Sequence, residues 1–396
     1  MALSLEGIRV LDLSRVLAGP FCSAFLGDMG ADVIKIEDTA GGDEARTWPP
    51  HKDGEAAAYL VCNRNKRGMT LDLKAAEGRE LLRRLVQRAD VLVENFRTGT
   101  MEGFGLGYDA LAAVNPRLIY CSISAFGRTG PLRDRAGYEA LLQAYTGVMS
   151  VTGEPEGDPV RCGLSFLDLT TGILAAFAVL NALLQRERTG LGQQVEAALL
   201  ETAVALLNYH AEGYLLTGNV PGRLGSAHPS VVPYRNFRCR DGQYVFIATA
   251  NDRLWGRLCK ALGLEQLPED PRFKTNLDRV GHRAEVEAIV AEAVGRHDMD
   301  PLLKLLDEAD VPAAPVSGVD RVMQDPQVEH RKLVESVIHS RLGEIKVVGT
   351  PLKFSRMAPG VRRAAPAYGE HTDEILKEAG LTEAEVATLR AKGVVR

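Results

Sequence analysis

Cysteine is scarce in this sequence, and no clustered metal ligands are evident. Structural zinc sites and disulfide frameworks have closely spaced cysteines or cysteine–histidine pairs. Here there is no C-x-x-C pair, and the eight histidines show no ligand spacing. We therefore expect no metal site, and reduced, mostly buried thiols of the kind found in cytoplasmic proteins. The six cysteines are Cys22, Cys62, Cys121, Cys162, Cys239 and Cys259.

Basic charge and long apolar runs are also lacking. The formal net charge is −5, so no basic face is predicted and nucleic acid is not expected as a partner. The longest apolar stretch, residues 173–184, has about a dozen residues, against the ~20 needed to span a bilayer. Residues 1–7 show neither signal-peptide nor transit-peptide character. We expect a cytoplasmic protein without a membrane partner.

The first two hundred residues alternate β-rich and helical segments. The β-rich segments are near-continuous runs of Val, Ile and Leu, which are typical of a parallel sheet buried on both faces. This alternation predicts a doubly wound, Rossmann-like α/β domain with right-handed crossovers. The predicted strands are residues 8–13, 31–37, 89–94 and 118–123, and the clearest predicted helices are 20–29 and 77–88.

A glycine motif common in such domains is missing. Residues 15–20, directly after the first strand, read Arg-Val-Leu-Ala-Gly-Pro. Folds that bind dinucleotides have G-x-G-x-x-G at this position. NAD and flavin dinucleotides are therefore not expected as cofactors.

The chain changes character after a break rich in Gly, Ser and Pro at residues 222–233. Short strands and helices follow this break, which predicts a smaller α+β domain. The predicted organisation is a large α/β domain at residues 1–205, a small α+β domain at 225–330, and a C-terminal segment, 335–396, that returns to the large domain.

Asp168 is the candidate catalytic residue that the local sequence indicates. It precedes Leu-Thr-Thr-Gly and then the apolar run, a pattern that predicts a buried helix with Thr170 or Thr171 as its N-cap. A carboxylate just before a helix faces unpaired N–H groups and the positive end of the helix dipole. Such a carboxylate stays ionised and suits a nucleophile. A capping Asp without catalytic function is the alternative.

Several phrases taken together resemble the family III CoA-transferases, which include formyl-CoA, carnitine and dicarboxylate CoA-transferases. They follow one another in order along essentially the whole chain, and no single phrase would suffice. The matching phrases are residues 10–20 (VLDLSRVLAGP), 30–37 (GADVIKIE), 65–74 (NKRGMTLDLK), 89–96 (ADVLVENF), 127–131 (G-x-x-G-P), 189–193 (TG-x-GQ) and 369–372 (GEHT).

The resemblance places Asp168 where the family has its catalytic carboxylate. It implies that Asp168 attacks an acyl-CoA thioester, giving a mixed anhydride and then an aspartyl-CoA thioester, which the acceptor acid resolves. A carboxyl with the ordinary pKa near 3.9 is ionised at neutral pH and needs no general base. Its requirements are positioning, N–H donors for the oxyanions and exclusion of water.

The resemblance also implies a site for coenzyme A and its acyl esters. Arg46 and Arg97 are the expected partners of the CoA phosphates, although a solvated surface charge is the alternative for any single Lys or Arg. Phe96 is equally compatible with a place in the core. The remaining residues implied to line the CoA site are Val16, Ala18, Leu71, Leu73, Lys74, Asn95, Phe96 and Tyr138.

Two departures from the formyl-CoA enzymes bear on the substrate. Asp38 stands where those enzymes have a basic residue, and residues 225–234 (GSAHPSVVPY) replace their multi-glycine loop. The phrase at residues 225–234 is similar to the corresponding phrase of family members that use succinyl-CoA and short dicarboxylates. We therefore expect succinyl-CoA or another dicarboxylyl-CoA as donor, a short carboxylic acid as acceptor, and Ser226 and His228 as ligands of the distal carboxylate. A plain interdomain turn is the alternative for this loop.

The main rival function is an α-methylacyl-CoA racemase. Those relatives have a His in an Arg-Ala-Gly-His phrase, whereas residues 135–139 here read Arg-Ala-Gly-Tyr-Glu. A Tyr with a pKa near 10 is a poor partner for two-way proton exchange at neutral pH. A related lyase or hydrolase, and a CoA-binding protein without catalysis, are weaker alternatives. The resemblance further implies a homodimer whose two chains interlock like links.

Overall fold

The structure, a computed structural model, describes residues 2–396. It contains two compact units. The first comprises Met1–Val148, Cys162–Leu215 and Pro326–Arg396, and the second comprises Met149–Arg161 and Leu216–Asp325. Residues 149–161 thus belong to the second unit, whereas the predicted large domain runs without a break from residue 1 to 205.

Residues 2–396 contain thirteen strands, and ten of these belong to the first unit. In chain order they are β1 (Arg9–Asp12), β2 (Asp32–Glu37), β3 (His51–Lys52), β4 (Glu55–Ala56), β5 (Lys66–Thr70), β6 (Val91–Glu94), β7 (Ile119–Ser124), β8 (Gln194–Ala198), β9 (Tyr234–Arg238), β10 (Tyr244–Ala248), β11 (Ala313–Pro315), β12 (Val334–His339) and β13 (Gly343–Val348).

The helices surround these strands. In chain order they are α1 (Ala18–Asp28), α2 (Ala57–Cys62), α3 (Ala76–Val86), α4 (Thr100–Gly103), α5 (Tyr108–Val114), α6 (Glu139–Tyr145), α7 (Phe166–Thr189), α8 (Leu199–Leu206), α9 (Tyr209–Thr217), α10 (Asp252–Ala261), α11 (Asn276–Gly281), α12 (Arg283–Val294), α13 (Met299–Glu308), α14 (Val319–Met323), α15 (Pro326–His330), α16 (Thr372–Glu378) and α17 (Glu383–Ala391).

A six-stranded parallel sheet forms the centre of the first unit, in the order β5-β2-β1-β6-β7-β8. Successive residues of one strand face opposite sides, so Val91 and Val93 join the core beneath α1 and α7, while Leu92 joins the core beneath α3 and α5. The predicted parallel α/β sheet is confirmed, and each of the four predicted strands lies within two residues of its expected bounds. The chain reverses direction across the sheet between β1 and β6, where ligands bind in such folds.

The outermost strand β5 is covered by the C-terminal part of the chain. The Gly68 N–H donates to Nδ1 of His371 at 3.2 Å, and the His371 N–H donates to the Gly68 carbonyl at 2.8 Å. The Asn65 N–H donates to the Arg363 carbonyl at 2.9 Å. These contacts occupy backbone groups that an exposed edge strand would offer to other chains.

Helix α7 is the longest helix and has 24 residues. By length and composition it is apolar enough to cross a bilayer, because it extends on both sides of the apolar run at residues 173–184. One face, which includes Val179 and Leu183, is buried in the core with α1. This packing is that of a core helix on a sheet.

The second unit has its own core. The antiparallel strands β9, β10 and β11 pack with α10, α12 and α13 around Trp255 and Phe273, both fully buried. Arg279 crosses this core and donates to the Val232 carbonyl at 2.8 Å. The strands and helices predicted after the 222–233 break are present, as expected for a small α+β unit.

Candidate active site

A cavity of about 230 Å³ lies in the first unit, at the carboxyl ends of β1, β6 and β7. This is the edge of the sheet at which the strand order reverses. Four segments contribute most of its wall: the loop after β1, the loop after β6, the loop after β7, and the first turn of α7. The lining residues that matter below are Arg15, Val16, Leu17, Ala18, Asn95, Phe96, Arg97, Phe126, Asp134, Arg135, Tyr138, Glu139 and Asp168.

Asp168 lies inside the first turn of α7 and not before it. The helix begins at Phe166, with Ser165 as N-cap residue, so the expected caps Thr170 and Thr171 are wrong. Leu167 is fully buried in the core, and this anchors the start of the helix upstream of the threonines. Thr171 instead forms a buried hydrogen bond with the Thr202 hydroxyl at 2.9 Å.

The environment of Asp168 differs from the expected one. Burial, and then the negative charge of Glu139, raise the pKa of Asp168 to about 7. Glu139 begins α6, is 5% exposed, and accepts a hydrogen bond from the Gln143 amide at 2.5 Å. The expectation of a permanently ionised carboxylate is therefore wrong: near neutral pH, Asp168 populates both the protonated and the ionised form.

The loop after β1 is fixed by a side chain from the loop after β6. Asn95 Oδ1 accepts the Arg15 N–H at 2.8 Å, and Asn95 Nδ2 donates to the Arg15 carbonyl at 2.8 Å. Both backbone groups of Arg15 are thus satisfied by one amide. The two loops that flank the reversal point form one wall of the cavity.

Three guanidinium groups of the lining have no hydrogen bond or ion pair with other protein groups within residues 2–396: those of Arg15, Arg97 and Arg135. Arg15 lies over the Phe96 ring at 5.1 Å. Arg135 lies over the Phe126 ring at 5.2 Å. Aromatic contacts orient these cations and leave their N–H groups for an anionic ligand.

The structure gathers most of the sequence-predicted site residues around this cavity. Val16, Ala18, Asn95, Phe96, Arg97, Tyr138 and Asp168 all line it. Three of the others lie outside the lining, in or near the segment after β5. Leu71 is buried in the core, Leu73 packs against the same core, and Lys74 is exposed.

Arg46 also lies outside the cavity lining. Its guanidinium forms two hydrogen bonds with the Glu37 carboxylate, at 2.8 and 2.7 Å, and stacks on the Tyr59 ring at 3.6 Å. This geometry holds the side chain inside the fold. The structure therefore does not bring Arg46 to the cavity as a free cation for phosphate groups.

Ser226 and His228 belong to the second unit. The Ser226 hydroxyl contacts the Asn236 side chain and accepts the Asn236 N–H at 3.2 Å, so this hydroxyl is already engaged. His228 Nδ1 accepts the Ser230 N–H at 3.1 Å, which places the proton of a neutral ring on Nε2. The imidazole also packs against the Tyr234 ring at 5.4 Å.

Sequence reasoning missed several lining residues, among them Arg15, Leu17, Arg135 and Glu139, which carry the charge and the backbone groups used below. Arg15 and Leu17 lie in the first matched phrase, so the signal for them was present. Arg135 and Glu139 lie in the phrase at residues 135–139, of which only Tyr138 was predicted as a site residue. Within residues 2–396, no group of three His, Cys, Asp or Glu side chains is placed to hold a metal ion.

Known proteins share this sequence and fold. The family described as CoA-transferase family III matches residues 5–372. A succinate–glutarate CoA-transferase of Agrobacterium fabrum is 42% identical, over 94% of this chain and 95% of that protein. A human succinyl-CoA:glutarate CoA-transferase is 40% identical, over 94% of this chain and 85% of that protein. The crystal structure of a CAIB/BAIF family protein from Brucella suis has a TM-score of 0.86 at 41% identity, covering 96% of this chain and all of that one.

Proposed function

Because the chain belongs to CoA-transferase family III, we propose that it moves CoA from succinyl-CoA, or another dicarboxylyl-CoA, to a short carboxylic acid, with Asp168 as nucleophile. One observation carries the proposal. The Asp168 carboxyl lines the cavity at the reversal point of the sheet, together with three unpaired guanidinium groups. The names of the similar proteins, which pair succinate with glutarate, support a dicarboxylate substrate.

The proposed reaction has two halves. The Asp168 carboxylate attacks the thioester carbonyl, the C–S bond breaks, and a mixed anhydride and CoA thiolate form. The thiolate then attacks the aspartyl carbonyl of the anhydride, releasing the donor acid and leaving an aspartyl-CoA thioester. The acceptor carboxylate attacks this thioester, and the same two steps in reverse give the new acyl-CoA and free Asp168.

Backbone N–H groups are available for the oxyanions of these steps. The first N–H groups of a helix have no partner inside the helix, and Leu17, the N-cap residue of α1, offers no side-chain cap. Leu17 and Ala18 line the same cavity as Asp168. We propose that their amides stabilise the developing negative charge, as oxyanion donors do in acyl transfer.

The raised pKa of Asp168 suits a nucleophile that needs no general base. Above about pH 7 the carboxylate is ionised, yet burial deprives it of much of its hydration. A poorly hydrated carboxylate loses little solvation when it bonds to the thioester carbon. Glu139 contributes by raising the free energy of the ionised state before attack.

The phosphates of CoA are proposed to bind the unpaired cations of the lining. Arg15, Arg97 and Arg135 provide planar forks that match phosphate oxygens. Arg97 was expected in this role, and Arg15 and Arg135 take the place expected for Arg46. For the distal carboxylate of the substrate we propose His228, because residues 225–234 resemble the corresponding phrase of family members that use succinyl-CoA and short dicarboxylates.

We propose a homodimer that buries the exposed apolar face of α7. Ile173, Phe177, Leu180 and Leu184 follow helical spacing and are 47%, 64%, 40% and 57% exposed. A contiguous apolar face of this kind is typical of protein interfaces. The interlocked arrangement that the family resemblance implies is part of this proposal.

The six free thiols support a reducing compartment, and we propose the cytoplasm.

Mass spectrometry tests the function. Wild type, Asp168→Ala and Asp134→Ala are incubated with succinyl-CoA and a panel of acids, and the acyl-CoA products are measured. Asp134 is the matched control because it is another carboxylate of the lining. We expect transfer by wild type and Asp134→Ala, no transfer by Asp168→Ala, and an Asp168 hydroxamate after hydroxylamine trapping. Deuterium exchange at the α-carbon of a 2-methylacyl-CoA without any CoA transfer would contradict the proposal.

A further inference from the structure

Side chains from other elements fix residues Ser14, Arg15 and Val16, which lie in the loop between β1 and α1. Lys35 of β2 donates from Nζ to the Ser14 carbonyl. Asp43 accepts the Val16 N–H on Oδ1 at 3.0 Å. Lys35 and Asp43 bond to each other at 2.8 Å, between Nζ and Oδ2. One ion pair thus holds both ends of this short segment.

Val16, at the end of this segment, has an unusual backbone. Its φ is +70°, in the left-handed region. A β-branched residue is a steric outlier there, and such conformations persist only where surrounding contacts impose them. The Asp43 carboxylate is the contact that binds the Val16 N–H, and it also binds the Ala45 N–H at 3.0 Å.

The Lys35–Asp43 pair is shut off from solvent, because both side chains are 0% exposed. Burial by itself would raise the pKa of Asp43 and lower that of Lys35. Their mutual attraction outweighs this, so the pKa of Asp43 is below, and that of Lys35 above, its usual value. Both groups therefore stay charged near neutral pH, as buried pairs with good geometry do.

We propose that Lys35 and Asp43 are positioning residues, which hold Val16 in its left-handed conformation and thereby aim the Leu17 and Ala18 amides into the cavity. Neither side chain lines the cavity, so they act through the loop. The inference rests on the proposed function, because it assigns the loop a task in binding CoA and in stabilising the oxyanions.

Hydrogen–deuterium exchange of the wild-type protein without ligand is the first test. The Val16 N–H is predicted to be protected to the same degree as the amides of β1, because the buried pair holds it before any ligand arrives. Exchange of Val16 as fast as that of an open surface loop would overturn the proposal. This measurement needs no variant to fold and no CoA to bind.

The second test compares Asp43→Asn, Val16→Gly and the double variant by calorimetry with CoA and by transfer kinetics. In Asp43 one carboxylate oxygen accepts from Lys35 and the other accepts from the Val16 N–H. Asn has only one acceptor oxygen, so it cannot accept both hydrogen bonds in this way. We expect Asp43→Asn to weaken CoA binding at least tenfold. Val16→Gly should restore much of this loss in the double variant, because glycine adopts positive φ without steric cost.

Asp28→Asn is the matched control. Asp28 forms an equally buried pair with Arg64 at 2.7 Å, away from the cavity lining. This control should lower the melting temperature and leave CoA affinity unchanged. Equal loss of affinity in Asp28→Asn and Asp43→Asn, or no rescue by Val16→Gly, would overturn the positioning role. Failure of wild type to bind CoA would instead overturn the proposed function, while the exchange result would still report on the loop.

Discussion

Asp168 and Glu139 line the same cavity, and the negative charge of Glu139 adds to the burial that raises the pKa of Asp168 to about 7. The pair resembles other carboxylates in shared sites, where one charge disfavours the next. A group with such a perturbed pKa in a cleft is a candidate for catalysis. In this chain it also sets the pH at which the carboxylate of Asp168, the proposed nucleophile, becomes available.

Replacing Glu139 by Gln should shift the pH dependence of transfer. Without the neighbouring charge the pKa of Asp168 falls, so the acidic limb of kcat/KM should move down by about one pH unit. Pre-steady-state or initial-rate measurements between pH 5 and 9 would show this. Asp134→Asn, at an exposed carboxylate of the same lining, should shift the limb much less. An unmoved limb in Glu139→Gln would contradict the coupling.

Asp168→Asn should stabilise the protein, increasingly so as the pH rises. The pKa of Asp168 is about 7 in the folded protein and near 3.9 when unfolded. Below about pH 4 both states are protonated and the variant has no advantage. Between the two pKa values, folded wild type loses stability with rising pH, up to a limit of about 4 kcal/mol above pH 7. Melting temperatures at pH 5 and pH 8 measure the effect, and a difference independent of pH would disprove it.

Arg97→Met and Arg46→Met should have opposite effects: the first should change the KM for the CoA ester, and the second should change the stability of the fold. Arg97 is an unpaired cation of the lining, so its loss should raise the KM for the CoA ester about tenfold without lowering the melting temperature. Arg46→Met leaves the buried Glu37 carboxylate without its partner and should cost about 3 kcal/mol of stability. Steady-state kinetics and thermal melts of both variants provide the comparison. A stable Arg46→Met with a raised KM would return Arg46 to the CoA site.

Phe177→Asp should disrupt the proposed homodimer. Phe177 is the most exposed residue of the apolar face of α7, at 64%, and a charge there opposes burial in an interface. Light scattering after gel filtration should show wild type as a dimer and the variant as a monomer or aggregate. Leu277→Asp, at an exposed leucine of α11 that does not belong to this face, should remain dimeric. A monomeric wild type would refute the dimer.

In the parallel sheet, the sequence was sufficient to predict four strands with a high apolar content but not the polar strand β5. At least half of the residues in each of β1, β2, β6 and β7 are apolar, and each of these strands was predicted. β5 reads Lys-Arg-Gly-Met-Thr, and no strand was predicted there. Lys66 is fully buried in β5 because it binds Asp12 at 2.8 Å, a partner 54 positions earlier in the chain. Local patterns do not contain such distant partners.

The candidate site likewise contains residues that local sequence predicts and residues whose role depends on distant partners. Asp168 was predictable from its place before Leu-Thr-Thr-Gly and the apolar run, and the backbone loop around Val16 from the matched phrase at residues 10–20. Glu139 was not recognised, since its effect on the pKa of Asp168 depends on bringing α6 and α7 together. Arg46 was assigned to phosphate binding by its charge alone, although its contacts with Glu37 and Tyr59 are tertiary.

The covering of β5 by residues near 363–371 has a consequence for synthesis on the ribosome. β5 is complete at Thr70, but Arg363 and His371, which occupy its outer edge, are made some 300 positions later. At 5–20 residues per second, the edge therefore waits roughly 15–60 s for its cover. During that time the nascent chain offers an open strand to other polypeptides. Chaperone capture of nascent chains should accordingly concentrate on the interval before the C-terminal segment emerges.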